Sequence, residues 1–143
     1  MENEFQLVVF KLGQEEYAVD IHYVQEIVKL LDITRVPKAP NFVEGVVNLR
    51  GSIIPVMNLR KRFGLPPAEN NDNNRIMMLK VNEIVAGIIV DGVSEVLHLP
   101  FSAMEPPPKV IGNANVDYLE GVGKLDDRLF MYLDLNKIIG VMS

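Results

Sequence analysis

The chain reads as a succession of short apolar runs bounded by Gly, Pro, Asn and Asp, the pattern of a strand-rich protein. Residues 5–12 are rich in β-branched and aromatic side chains and close at Gly13. Residues 16–21 are strand-like again, so Gly13-Gln14-Glu15 joins a hairpin. Ile21, Val24, Ile27/Val28 and Leu31 recur at helical spacing, which predicts a short helix with Asp20 near its N-cap. Ile33-Thr34-Arg35-Val36 is a brief extended piece ended by Pro37 and Pro40. Residues 42–59 form two apolar strands around a tight turn at Arg50-Gly51, and residues 59–64 one helical turn with a glycine stop. Residues 66–74 are the most polar and least structured stretch, a linker between halves. A second hairpin then spans 75–81 and 84–90 around Asn82-Glu83, and residues 91–97 are expected to follow it as a short helix. A Pro106-Pro107-Pro108 loop and a short terminal helix over 136–140 complete the series.

The order of elements repeats. A shift of 76 lays residues 42–64 on 118–140 without a gap, with Glu44/Glu120, Gly45/Gly121, Val46/Val122, Leu49/Leu125, Leu59/Leu135, Lys61/Lys137 and Gly64/Gly140 identical. A shift of 69 lays residues 8–28 on 77–97, with Lys11/Lys80, Val24/Val93 and Glu26/Glu95 identical. Two related strand-rich subdomains follow, approximately 5–64 and 76–140 with a linker over 65–75, each of about five short strands. Neither half can bury much core alone, so they are expected to pack together or exchange strands, as small barrels.

Residues kept in both copies are most simply scaffold, Gly45 and Gly121 among them. At the turn the copies differ: Asn48, Arg50 and Gly51 in the first, Lys124, Asp126 and Asp127 in the second. Spacing alone reads this equally as two acceptable turns or as a functional asymmetry.

At 143 residues, with 14 Lys+Arg against 19 Asp+Glu, the chain is one acidic domain of net charge −5. That balance and the absence of Trp count against a barrel-type nucleic-acid-binding module, the remotest of the alternatives. The one basic cluster, Arg60-Lys61-Arg62, is expected to be a solvated helix face. There is no cysteine, which excludes disulfides, thiolate metal sites and thiol nucleophiles. The acidic start lacks a signal-peptide pattern and no apolar run approaches a membrane span, so a cytosolic protein without direct membrane insertion is expected.

Catalytic constellations are hard to find. His22 and Glu26 have the i,i+4 spacing of two ligands on one helix face, but a metal would need a third, and a solvated face is the simpler reading. No phosphate-cradling or nucleophile-elbow string occurs, so neither an enzyme nor a cofactor is expected. Met57, Met77 and Met78 sit in strands and are expected in the core. Binding by surface remains. Val24, Ile27, Val93 and Val96 occupy equivalent repeat positions that either line an apolar groove between the halves or lie buried, and Glu26 and Arg50 could form a directional pair beside it.

The strings Glu15-Glu16-Tyr17-Ala18-Val19-Asp20-Ile21, Val24-Gln25-Glu26-Ile27, Val43-Glu44-Gly45-Val46-Val47-Asn48-Leu49-Arg50-Gly51 with Ile53-Ile54-Pro55-Val56, and Val90-Asp91-Gly92-Val93-Ser94-Glu95-Val96-Leu97 resemble the CheW family of bacterial chemotaxis coupling proteins. The resemblance covers about residues 5–140 and departs from the family only in short termini and the Asn-rich linker. It implies a mainly β fold of two intertwined five-stranded SH3-like barrels with a few short helices. It also implies an adaptor joining the cytoplasmic tip of chemoreceptors to the regulatory domain of a CheA-type histidine kinase, or an adaptor of another receptor–kinase system. Carried over by motif, the partner-binding positions are Val24, Glu26, Ile27, Gly45, Asn48, Arg50, Gly51, Val93 and Val96, with Gly45 the weakest because Gly121 repeats it. The resemblance further implies no fused receiver domain, since the chain ends at Ser143.

Overall fold

A computed structural model describes residues 3–108 and 118–139. Gly140, the expected end of the terminal helix, lies outside the described residues. Eleven strands are described: β1 (Glu4–Leu12), β2 (Glu15–Asp20), β3 (Val24–Lys29), β4 (Val43–Leu49), β5 (Ser52–Asn58), β6 (Arg75–Val81), β7 (Ile84–Val90), β8 (Gly92–Pro100), β9 (Met104–Glu105), β10 (Leu119–Leu125) and β11 (Arg128–Leu133). Two short helices, α1 (Leu59–Arg62) and α2 (Leu135–Ile139), each follow a repeat's last strand.

One sheet runs β8-β1-β2-β11-β10-β9, the other β3-β6-β7-β5-β4. Each half of the chain thus lends its first hairpin to the other: β1–β2 joins strands of the second half, and β6–β7 joins strands of the first. The two layouts correspond strand for strand. Each lent hairpin is flanked on one side by an antiparallel edge strand, β8 or β3. On the other side it meets a parallel neighbour, β11 or β5. The two-residue β9 pairs with Val122, and its counterpart is the isolated bridge between Thr34 and Val46.

Strand alternation explains the continuous apolar runs. Leu7 and Val9 point into one sheet's own core, with Ala18, Leu99, Phe130 and Tyr132. Val8, Phe10 and Leu12 point the other way, into a central core between the sheets. In β6, Ile76 and Met78 enter the second sheet's own core while Met77, Leu79 and Val81 enter the central one. Strands apolar on both faces therefore fill three clusters, and Met57, Met77 and Met78 are buried as expected. Phe10, Tyr17, Phe63 and Tyr118 run through the centre as a ladder of stacked rings, 5.4–5.8 Å between neighbouring centroids.

Two expected helices are corrected. Ile21–Tyr23 makes a single 3-10 turn, which Asp20 caps by accepting the His22 N–H at 2.9 Å, and the chain then continues as β3. Residues 91–97, expected as the equivalent helix, run instead into β8 from Gly92 onward. The cause is a β-bulge in each. The register slips between Val24 and Glu26 against β6, and at Ser94 against β1, so one residue is unpaired at equivalent places in the repeat. A bulge places residues three apart on one face, so Val24 and Ile27, like Val93 and Val96, mimic helical spacing.

The basic cluster is not a solvated face. Arg60 grips Asp91 with Nε (3.1 Å) and Nη2 (2.5 Å) and donates from Nη1 to the Pro66 carbonyl (2.7 Å). Lys61 pairs with Glu44 at 2.9 Å. The Arg62 guanidinium lies 4.5 Å from the Phe42 ring centre and 4.7 Å from that of Tyr118, the two residues that the repeat makes equivalent. Arg62→Ala is expected to cost about 1–2 kcal/mol in chemical denaturation, because both rings lose a desolvated cation and its methylene packing. An unchanged denaturation midpoint would rule this out.

The linker is more ordered than its composition suggests. The Asn71 N–H donates to Asn74 Oδ1 and the Asn73 N–H to Asn71 Oδ1, while Asn74 Nδ2 donates to the Asp91 carbonyl. Asparagine side chains here replace the backbone partners of a regular turn, and Asn74 is buried.

Candidate functional site

β3 and β4 are the opposite edges of the five-stranded sheet, yet Glu26 on β3 meets Arg50 at the β4–β5 turn. The sheet is therefore curled until its edges face each other. Arg50 holds both carboxylate oxygens of Glu26, Nη2 donating to Oε1 and Nη1 to Oε2, the latter at 3.2 Å. The Arg50 side chain remains 68% exposed. An exposed pair of this kind contributes little to stability. Its value is directional: one planar cation is held at a fixed place on the surface.

The turn is built at a conformational cost. Arg50 has φ 50° and Gly51 φ 89°, both in the left-handed region. Gly51 accepts this freely, and nothing lies within 4 Å of where its Cβ would be. Arginine does not favour it, whereas asparagine, aspartate or glycine would. The second copy has aspartate at the equivalent position, Asp126, with φ 55°. Asn48 Oδ1 accepts the Gly51 N–H at 2.9 Å and closes the turn. Asn48 and Gly51 therefore shape the turn, and Arg50 supplies its exposed charge.

Val24 and Ile27 sit opposite Leu79 and Met77, and Val93 and Val96 opposite Phe10 and Val8, all four partners members of the central core. The four candidate residues thus project on the central side of the two edge strands β3 and β8. Val24 and Val93 pack against that core, half-buried, while Ile27 and Val96 are 38% and 54% exposed. Exposed large apolar side chains on sheet edges are costly surface, usable by a partner.

Gly45 is different. It is buried in β4 with φ 151°, beside a bulge, and a Cβ there would stand 2.1 Å from the Thr34 carbonyl oxygen. Thr34 and Val46 exchange two backbone hydrogen bonds, 2.9 and 2.8 Å, next to it. Gly121 repeats the arrangement against Met104 and Glu105. Gly45 therefore acts on the scaffold by letting the β3–β4 connection lie against β4.

His22 and Glu26 do not share a helix face; the His22 ring lies 2.7 Å from Asp20 Oδ1 on the 3-10 turn. Among the described residues no cluster of three or more His, Asp or Glu could hold a metal. No helix among them is long and apolar enough to cross a membrane.

One ion-pair network was not anticipated. Arg128 bridges Glu16 (2.8 Å) and Glu95 (2.5 Å), and its guanidinium lies 4.7 Å from the Phe130 ring centre. Glu95 is the repeat partner of Glu26, so both barrels pair this glutamate with an arginine from a neighbouring hairpin. The arginine comes from different places: Arg50 at the turn in one, Arg128 two positions beyond the equivalent of the turn in the other. The Glu26/Glu95 identity was the signal, hidden because Arg128 aligns with Ser52.

Against known proteins, a CheW-like domain model matches residues 6–141. A chemotaxis protein CheW of Treponema pallidum is 39% identical over 141 residues, covering 96% of this chain and 83% of the relative. One from Klebsiella aerogenes is 37% identical over 134 residues, covering 94% and 81%. The crystal structure of the scaffolding protein TtCheW from Thermoanaerobacter tengcongensis superposes with a TM-score of 0.85 at 40% identity, covering 92% of this chain and 85% of that one. The fold is that of the chemotaxis scaffolding proteins, two intertwined SH3-like barrels. This chain belongs to the CheW-like family.

Proposed function

We propose that the protein is a non-enzymatic chemotaxis adaptor that couples the cytoplasmic tip of chemoreceptors to the regulatory domain of a CheA-type histidine kinase. It works in the cytoplasm and meets the membrane only through its partners. The observation that carries this reading is Arg50. A strained arginine is held outward by Glu26, on the same edge strand as exposed Ile27, in a chain whose relatives are chemotaxis proteins. Receptor tips are helical hairpins, and an apolar edge beside a fixed cation suits the face of an amphipathic helix. Val24, Val93 and Val96 extend that surface, while Asn48, Gly51 and Gly45 hold its frame.

The test is a pull-down of purified protein with a receptor-tip fragment and, separately, with the kinase regulatory domain. Both should bind. Arg50→Glu should lose the receptor fragment and leave the thermal melting temperature unchanged, because Arg50 contributes a surface charge and no packing. Arg50→Asn should also lose the receptor fragment while being at least as stable as the parent, since asparagine suits φ 50°. A folded Arg50→Glu protein that still couples receptor to kinase at parental strength would overturn the assignment.

A further inference from the structure

A second charged feature lies on the same face as Ile27. Lys29 follows Ile27 by two residues on β3, so the two side chains share a side. Lys29 is paired directly with Arg75 at the start of β6. Like charges opposite each other across two strands repel. Neither has an ion-pair partner among the described residues. Arg75 Nη1 is held only by backbone carbonyls, those of Asp72 (2.6 Å) and Asn74 (2.7 Å). The ordered linker therefore fixes this cation in place.

The two cations front a depression of about 550 Å3, lined also by Leu30 and the exposed Asp72. On the other side of Arg75 an adjoining depression of about 600 Å3 is lined by Lys11 and Val93. The carboxylate of Asp91 in that second depression is already engaged by Arg60 and the Gly13 N–H. Lys11 stands opposite Glu16 across β1 and β2, which leaves Lys29 and Arg75 as two cations beside one free carboxylate, in a protein whose net charge is −5. A local basic excess at the end of an apolar edge, kept at the cost of repulsion, matches an anionic partner.

We propose that Lys29 and Arg75 form a basic rim that receives carboxylates on the receptor-tip helix whose apolar side covers Ile27 and Val96. The proposal rests on the receptor-coupling reading above and adds the partner's chemistry: an amphipathic helix with Asp or Glu beyond the end of its apolar stripe. Arg50 would then fix one end of the helix and the rim the other. The alternative is that Lys29 merely blunts the β3 edge against strand addition, a role any charge can fill.

Lys29→Glu separates the two. It sets a carboxylate opposite Arg75 and should leave the protein at least as stable, since a repulsive cross-strand pair becomes an attractive one. Receptor-tip binding, followed by calorimetry at low ionic strength, should weaken about tenfold. The difference should shrink towards 1 M salt, where the Debye length falls to about 3 Å. Lys29→Arg should bind as the parent does. Unchanged affinity of the stably folded Lys29→Glu protein, beside parental binding of the tip fragment, would overturn the basic rim and leave the adaptor reading standing. No binding of the tip fragment by the parent protein would overturn the adaptor reading, and the rim with it.

Discussion

Gly45→Val is expected to leave little folded protein. The added Cβ would approach the Thr34 carbonyl oxygen to 2.1 Å and the Ile33 Cγ2 to 2.8 Å, and the first of these is backbone that no rotamer change can move. A β-branched residue at φ 151° adds its own strain. Overpacking at about 1–3 kcal/mol and strain of similar size sum to about 2–6 kcal/mol. That is a large part of the ~5–15 kcal/mol by which domains are stable. Relief would require the β3–β4 connection to leave β4, breaking both Thr34–Val46 hydrogen bonds. Gly51→Ala is the control: its φ of 89° is also left-handed, but its Cβ meets nothing, so about 1–2 kcal/mol is expected. Urea denaturation monitored by circular dichroism measures both. A Gly45→Val protein with a parental midpoint would show that the connection tolerates displacement. Loss of signalling on substitution of Gly45 would accordingly report a folding defect and no lost partner contact.

Asp91→Ala is expected to cost about 2–3 kcal/mol, less than the ~3–5 of a fully buried ion pair because some water reaches this one. Arg60 is 17% and Asp91 27% exposed. The substitution strands the Arg60 guanidinium and removes the acceptor of the Gly13 N–H, untying the first hairpin turn, α1 and the start of β8 together. Burial pushes the Asp91 carboxyl up, but the hydrogen bonds from Arg60 and Gly13 outweigh it and hold the group below its ordinary range. Glu16 is lowered by its hydrogen bonds to Arg128. Glu44 is likewise lowered: burial raises it, and Lys61 and Asn58 more than compensate.

A carboxyl with a lowered folded pKa contributes stability that is complete above its unfolded value, about 4, and is lost as pH falls through the folded value. Glu120 runs the other way. Burial, with Asp134 and Asp20 nearby, raises it, so acid relieves that charge. Three lowered groups against one raised predict steep loss of stability below about pH 4. Denaturation midpoints at pH 7, 4 and 3 should fall more steeply in the parent than in Asp91→Ala. Parallel slopes would show that Asp91 does not carry acid sensitivity.

The hairpins, the repeat and the core methionines were legible in the sequence because strand alternation and turn residues are local signals. β3 and β8 were not. Their bulges at Gln25 and Ser94 convert a period of two into a spacing of three, and nothing near Val24 or Val93 marks the unpaired residue as a bulge. The fate of Arg60-Lys61-Arg62 was equally hidden, since Asp91, Glu44 and Tyr118 reach it from distant strands. At the site, Arg50 stood out only because its turn fails to recur. That the residue is strained, and that Glu26 meets it from the opposite edge of a curled sheet, are facts of the closed barrel. Lys29 and Arg75 lie far apart in the chain and become a repulsive pair only through the register of β3 on β6.

The lending of hairpins between the halves bears on how such a chain could arise. A polypeptide holding one copy of the repeat would leave its first hairpin without a sheet, because that hairpin pairs only with strands of the other half. It could complete two sheets only by meeting another copy and trading hairpins with it, so its folding would depend on concentration. Joining two copies through a short tether replaces that encounter with an internal one at a fixed, high effective concentration. Once joined, the copies no longer have to match, and one turn could keep an aspartate suited to its backbone while the other took up a strained arginine.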